Sequence, residues 1–182
     1  MLLVMPLAFL ACKNDDDDDK KNDPQPVTEI ALTQDNLNLA IIKQFENKTG
    51  VHIENGSEIA NSHNPSIPSP DSTLRDLYTT YPTGAALQPG AVLAKRVYNR
   101  NADGSKGTLA LVFVMHKQNS GYFSNGGDFN YYAIPGTTVT ATQPNGDFSQ
   151  AIRKLGEVNI YGKAQFCADC HARAGSDYLF SR

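Results

Sequence analysis

The sequence predicts an α+β fold, a mainly antiparallel β-sheet with a few short helices, and three observations point to this class. Apolar, β-branched runs at residues 90–98 and 109–115 predict a β-hairpin whose long loop is the Asn- and Gly-rich segment 99–107. Residues 129–134 have the composition of a further strand. Residues 37–45 place apolar side chains at helical spacing, which predicts an amphipathic helix.

The remaining segments predict shorter elements. Residues 137–142 are expected to form another strand, turned at Pro135-Gly136, and the Asn-, Ser- and Pro-rich residues 53–71 a long loop. Three further short helices are expected, at residues 71–78 with Asp71-Ser72-Thr73 as the cap, at residues 149–155, and at residues 164–174, which carry a Cys pair.

Composition limits the classes of function. The 182 residues suggest one domain, and residues 12–24, with six Asp and three Lys, account for the whole net charge of −3. Residues 25–182 are therefore formally neutral, which gives no electrostatic basis for binding nucleic acid. No later stretch reaches the roughly 20 apolar residues that span a bilayer. We expect attachment to a membrane only through the N-terminus.

The N-terminus resembles the signal of a bacterial lipoprotein. Residues 1–11 are an apolar run ending in small residues, and Cys12 follows, which in such signals becomes the lipid-bearing first residue. An ordinary secretory signal with a chance Cys is the alternative. Residues 12–28 contain a block of like charges and are expected to be a disordered acidic tether, which leaves residues 29–182 as the folded domain.

These features predict a protein of the bacterial cell envelope, held to a membrane by its lipid anchor alone. A Lys and a run of acidic residues directly after Cys12 resemble the surface-export signal of some bacterial lipoproteins. The expected location is therefore the periplasmic face or the outer-membrane surface.

The chemistry of the chain is expected to lie in the string Cys167-Ala168-Asp169-Cys170-His171. A C-x-x-C-H string is the attachment signature of c-type haem. On a helical turn its two thiols meet the two vinyl edges of one porphyrin, and the next residue is directed at the iron. Imidazole is a good ligand for haem iron. The string therefore predicts one covalent haem c on Cys167 and Cys170, with His171 as axial ligand.

Other uses of a Cys pair remain open. Cys167 and Cys170 could form a redox disulfide or half of a zinc site. A structural zinc site normally needs four ligands, and the other histidines, His52, His63 and His116, lie far off in sequence without paired spacing. Cysteine arithmetic favours haem, since one of the three Cys serves the lipid and two serve the haem.

Segments of the C-terminal half carry a family resemblance. They are Gly90-Ala91-Val92-Leu93-Ala94-Lys95, then Val112-Phe113-Val114-Met115-His116-Lys117 with the glycine-rich turn of residues 121–131, then the C-x-x-C-H string with Asp177-Tyr178-Leu179-Phe180-Ser181. In this order they resemble the cytochrome P-460 family, which includes the cytochromes c′-beta. The resemblance covers about residues 88–182, and Phe129 stands where relatives usually have Trp.

The resemblance implies a mainly antiparallel β fold, usually a homodimer, with one haem whose iron is open or only weakly blocked opposite the motif His. P-460 enzymes oxidise hydroxylamine and cross-link a lysine to the haem, whereas c′-beta members bind nitric oxide or carbon monoxide. Lys95 stands where the cross-linking lysine would be expected. It also fits a solvated strand position. Met115 or His116 could supply a sixth ligand, but adjacent strand residues face opposite ways, so at most one could reach the iron.

Three functions follow. The first is electron transfer or nitric oxide binding, with a redox partner protein or a small nitrogen oxide as the partner. The second is an enzyme that oxidises hydroxylamine or a related compound, which would also need a distal proton acceptor such as Asp128 or Glu157. The third is a haem-free lipoprotein with a Cys167–Cys170 disulfide. We favour the first, because the string supports haem attachment directly and supports catalysis only by analogy.

Overall fold

A computed structural model describes residues 26–57, 73–81, 86–142 and 165–174. Within these ranges one antiparallel sheet has the strand order β1-β2-β3-β4-β5, so every strand pairs with its neighbours in the chain. The strands are β1 (Val51–Ser57), β2 (Thr73–Tyr78), β3 (Val92–Arg100), β4 (Lys106–Lys117) and β5 (Phe129–Pro135). The α+β class, the hairpin of β3 and β4, and the strand at β5 are confirmed.

The register of the sheet sends consecutive residues to opposite faces. On β3, Val92 and Ala94 belong to one apolar cluster, and Leu93 belongs to another. Val92 lies opposite His116 on β4, and Leu93 lies opposite Met115. Because side chains alternate along a strand, the two clusters occupy the two faces of the sheet. We call them the helix face and the cysteine face, after the segments that cover them.

The helix face is covered by the N-terminal helical segment. This segment runs through α1 (Gln34–Asn38), a π-helical turn (Leu39–Lys43) and α2 (Gln44–Asn47). The predicted amphipathic helix is confirmed, because the side chains of the predicted apolar stripe are buried, namely Leu37, Ile41, Ile42 and Phe45, and Ala40 and Gln44 are buried beside them. They pack against strand residues such as Val92, Val114 and Tyr132.

Local chemistry sets the ends of this segment. The Thr33 hydroxyl accepts a hydrogen bond from the N–H of Asn36, at 3.2 Å, and so caps α1. After α2, Lys48 adopts a left-handed conformation with φ 47°, and Gly50 follows with φ 59°. A Cβ on Gly50 would lie 1.5 Å from the carbonyl oxygen of Thr79, so the chain can enter β1 here only with glycine.

Arg96 explains the π-helical turn. Within this turn the N–H of Gln44 donates to the carbonyl of Leu39, five residues earlier. Arg96 of β3 donates through Nε, at 3.2 Å, and through Nη2 to the carbonyl oxygen of Ile41. Its guanidinium also lies 4.4 Å from the ring centre of Phe45. A donor inserted into the helical ladder widens it locally, and here the same side chain fastens the helix to the sheet.

Two predicted elements are wrong. Residues 73–78 are strand β2 rather than a helix, because they pair with both β1 and β3. Their polar members are buried by that pairing, and the Asp76 carboxylate accepts the N–H of Asn55 at 2.9 Å and contacts the Lys106 ammonium. Pairing on both sides outweighed a local cap pattern.

The second wrong element is the strand predicted at residues 137–142, which is helix α3 (Gly136–Thr142). The chain leaves the sheet at Gly136, where a Cβ would lie 1.9 Å from the carbonyl oxygen of Leu109. Val139 is then fully buried on the helix face, which a helix achieves with one turn. Tertiary burial thus overrides the β propensity of a Thr- and Val-rich segment.

The long loop expected at residues 53–71 is wrong for residues 53–57, which belong to β1. The rest of that segment, and the helix predicted at residues 149–155, lie outside the described residues.

Arg96→Gln should lower the free energy of unfolding by about 1 to 3 kcal/mol, because it removes charge-assisted hydrogen bonds to the Ile41 carbonyl and the contact with Phe45. Urea unfolding followed by circular dichroism measures the change. Arg100→Gln is the control, since Arg100 is exposed at the end of β3. Equal losses in both variants would contradict the anchoring role of Arg96.

Candidate functional site

The C-x-x-C-H string lies on the last helix that the structure describes. Helix α4 spans Gln165–His171 and continues as a 3₁₀ turn over Ala172–Ala174. Ala168 is fully buried and packs on the cysteine face, beside the half-buried Cys167. The cluster beneath them is apolar and aromatic and consists of Leu87, Ala91, Leu93, Met115, Phe129 and Tyr131, with Tyr81 and Phe123 at its edge.

His171 is half-buried one helical turn after Cys167. Its imidazole ring contacts the ring of Tyr131, with the ring centres 5.5 Å apart and the planes inclined by 49°. An α-helix turns once in 3.6 residues, so positions 167, 170 and 171 lie along one side of α4. Asp169, on another side, is exposed. The arrangement combines the spacing of the string with an aromatic surface against its histidine.

The loop between β4 and β5 supports Tyr131. The hydroxyl of Tyr131 donates to the carbonyl oxygen of Gly126, at 3.1 Å. Asp128 holds this loop closed, because its carboxylate accepts the N–H of Phe123 at 2.8 Å and its own N–H donates to the Phe123 carbonyl at 2.9 Å. The structure thus gives the Asp128 carboxylate a hydrogen bond within the loop. Glu157, the other candidate proton acceptor, lies outside the described residues.

Lys95 lies on the same face of the sheet as α4. Its cross-strand neighbours are Leu77 and Phe113, and its ammonium lies 5.1 Å from the ring centre of Phe113. Leu93, two positions earlier on β3, belongs to the cluster under α4. The structure therefore places Lys95 on the face that carries this cluster, two positions along β3 from Leu93.

The structure separates the two candidate sixth ligands. Met115 is 8% exposed on the cysteine face, where its cross-strand partner is Tyr131. His116 is fully buried on the helix face, so it and α4 lie on opposite sides of the sheet. The identity of the sixth ligand stays a prediction.

Burial governs the chemistry of His116. Its Nδ1 lies 3.1 Å from Nε2 of Gln118, and its Nε2 has no hydrogen-bond partner among the residues described. Loss of solvent lowers the pKa of His116 to about 4, so the imidazole is neutral at neutral pH.

Contacts that the sequence did not predict fasten Glu29 and Ile30 to the sheet. The Gln118 side chain accepts the N–H of Ile30 at 2.7 Å and donates to its carbonyl at 3.3 Å. Asn130 donates to the Glu29 carboxylate at 2.7 Å. These pairs are 88 and 101 residues apart, and no local pattern marks either one.

Comparisons with known proteins add no relative. No protein-family model matches the chain, and neither the curated proteins nor the solved structures contain a match. None of the helices in the described ranges has the length and apolar character that crossing a membrane requires. The same ranges hold no group of three or more His, Cys, Asp or Glu side chains arranged to bind a metal ion.

A cleft of about 150 Å³ opens elsewhere, beside the N-terminal helical segment. Its walls include Ala40, Gln44, Thr49 and Val92, and it shares only Tyr81 with the surroundings of α4. The cleft thus lies beside the N-terminal helical segment, whereas the Cys and His side chains of the string lie on α4. The candidate site is assigned to α4, because its Cys and His side chains can form bonds to a cofactor.

The stability of the protein should depend on pH through His116. Its pKa is about 4 in the folded state and about 6.5 when unfolded, so unfolding takes up a proton between these values. This titration therefore leaves the free energy of unfolding unchanged above about pH 6.5. As the pH drops toward 4, it lowers the free energy of unfolding by roughly 1 to 3 kcal/mol. Urea unfolding across this range measures the free energy of unfolding at each pH. We expect this free energy to change less with pH for His116→Gln than for the native chain. Equal slopes would contradict a neutral, buried His116.

Proposed function

We propose that this chain is an exported, mono-haem c-type cytochrome of the cytochrome P-460 and c′-beta type, acting in electron transfer or nitric oxide binding. In this proposal Cys167 and Cys170 carry the haem by thioether bonds, and His171 ligates the iron. The observation that carries the proposal is a C-x-x-C-H string on a short helix whose histidine lies against an aromatic, apolar face of the sheet.

The described residues fit a haem in two respects. Cys167 and His171 are each half-buried, which leaves part of both side chains accessible to a bound group. The cluster around them is almost wholly apolar, and such surroundings suit a macrocycle of low polarity. When bound, the iron would supply one-electron chemistry and a position for a small ligand.

The residues of this chain would bind and orient that group. Ala168 anchors α4 to the sheet through its full burial, and Tyr131 packs against the ring of His171. Of the two sixth-ligand candidates, only Met115 shares a face with α4. It packs beside Tyr131 within the cluster and would be the candidate of the two on the side of a bound haem.

Sequence features support the rest of the proposal. A lipid on Cys12 would hold the protein to the envelope, on the periplasmic face or the outer-membrane surface, through a tether that ends near residue 28. The fastening of Glu29 and Ile30 to the sheet agrees with a folded domain that begins there. Its partners would be a redox protein or a small nitrogen oxide, and by the family resemblance the domain would form a homodimer.

Haem attachment is tested by expressing the chain with a c-haem assembly system. We expect a c-type reduced spectrum, one haem per chain by pyridine haemochrome, and haem that stays with the polypeptide on denaturation. Cys167→Ala or Cys170→Ala should each remove one thioether bond, and His171→Ala should alter the spectrum, since it removes the axial ligand. Cys12→Ala is the matched control, because it removes only the cysteine assigned to lipid.

Absence of covalent haem from cells that mature other c-type cytochromes would refute the proposal. A disulfide or a metal site would then be the remaining interpretations of the Cys pair. Thiol titration with and without reductant would detect the disulfide of the haem-free lipoprotein, and zinc analysis would detect the metal.

The position of Lys95 favours a second function, oxidation of hydroxylamine by an enzyme with a lysine–haem cross-link. Lys95 lies on the face that α4 covers, two positions along β3 from Leu93 of the apolar cluster. A cross-link would displace the Soret band, and the displacement would persist after denaturation. Lys95→Ala should abolish it, whereas Lys117→Ala should not, although Lys117 also lies on this face with its ammonium 4.5 Å from the ring centre of Phe129.

An unmodified haem spectrum in the native chain would leave Lys95 as a solvated strand residue and would support the binding or electron-transfer function.

A further inference from the structure

We propose that Tyr131 is a positioning residue, which sets the orientation of the His171 imidazole. The part of the proposal that concerns iron rests on the proposed function above. The part that concerns the two side chains rests only on the packing of α4 against the sheet.

The contact between the two rings is direct. Tyr131 is 3% exposed, and its ring centre lies 5.5 Å from that of His171, within the range of aromatic pairs that attract each other. His171 is the last residue of α4 and is half-buried, so the helix alone leaves its side-chain torsions several rotamers. A fixed ring against one side removes those rotamers that would overlap it.

Tyr131 is itself fixed at its far end. Its buried hydroxyl donates to the carbonyl of Gly126, at 3.1 Å. A Cβ on Gly126 would lie 2.2 Å from the ring of Phe123, so a larger residue at this position would have to displace that ring. Asp128 in turn holds Phe123 by the two hydrogen bonds between them. A tightly built loop thus determines where the ring of Tyr131 stands.

Side chains that contact a metal ligand commonly determine its orientation. In this chain a ring surface would take that role for His171. The ring of Tyr131 should matter most, and its hydroxyl should matter less, because the ring makes the contact and the hydroxyl only anchors the ring.

The test compares Tyr131→Leu, which removes the ring, with Tyr131→Phe, which keeps it. Tyr132→Leu and Tyr132→Phe are matched controls, because Tyr132 is the next residue of β5, equally buried, and packs on the helix face. Tyr131→Met is a second ringless variant, should Tyr131→Leu not fold.

Two readouts separate this proposal from haem attachment. In the full chain without haem, proton NMR should show ring-current shifts of the His171 ring protons that Tyr131→Leu abolishes and Tyr131→Phe and Tyr132→Leu retain. In the haem-loaded chain, the resonance Raman band of the ferrous iron–histidine bond should move and broaden in Tyr131→Leu alone.

Unchanged His171 proton shifts in the ringless variants would overturn the contact between the rings. An unchanged Raman band in those variants would overturn the positioning of the iron ligand. A native chain that takes up no haem would end the proposed function, while the NMR comparison would still decide whether Tyr131 orients His171.

Discussion

The pairing of β3 with β4 is the constraint on which the rest of the structure depends. Its register places Val92 opposite His116 and Leu93 opposite Met115, so each step along either strand changes the face of the sheet. A shift of the strand register by one residue would move the apolar side chains of the shifted strand to the opposite face of the sheet, away from the segment against which they pack. The same register decides which residues can reach α4, and it separates Met115 from His116 although they adjoin in the chain.

The two faces are built from different chemistry. The helix face combines aliphatic and aromatic side chains with buried polar groups, and Glu29 and Ile30 supply partners to Asn130 and Gln118. The cysteine face joins aliphatic side chains such as Leu93 and Met115 to the rings of Phe129 and Tyr131, and Ala168 of α4 is fully buried among them. The contact between His171 and Tyr131 lies at the C-terminal end of α4 and adds to the packing of Ala168 on the sheet.

Elements with a strong local period could be predicted from the sequence, and elements set by distant pairing could not. The apolar stripe around Ile41 and the β-branched hairpin strands needed only their own residues. Strand β2 was mistaken for a helix because its burial comes from β1 and β3, and α3 was mistaken for a strand because burial of Val139 decides its form. The C-x-x-C-H string consists of five consecutive residues, so the sequence alone reveals it. Tyr131 lies 40 residues before His171, and a single sequence does not reveal that two such distant residues are in contact.

Strand β5 links these observations, because its alternate residues face opposite sides of the sheet and pack against different segments. Asn130, Tyr132 and Ile134 face the N-terminal helical segment, and Phe129, Tyr131 and Ala133 face the side of α4. Cys167, Cys170 and His171 fall within five consecutive positions, but the cluster under α4 comes from strands β3, β4 and β5 and from the segments before β3 and between β4 and β5. In the proposed function a short string specifies the attachment of haem, whereas the contact between His171 and Tyr131 depends on the register that places Tyr131 on the cysteine face. A substitution on β5 should disturb α4 or the N-terminal segment according to its parity in the strand.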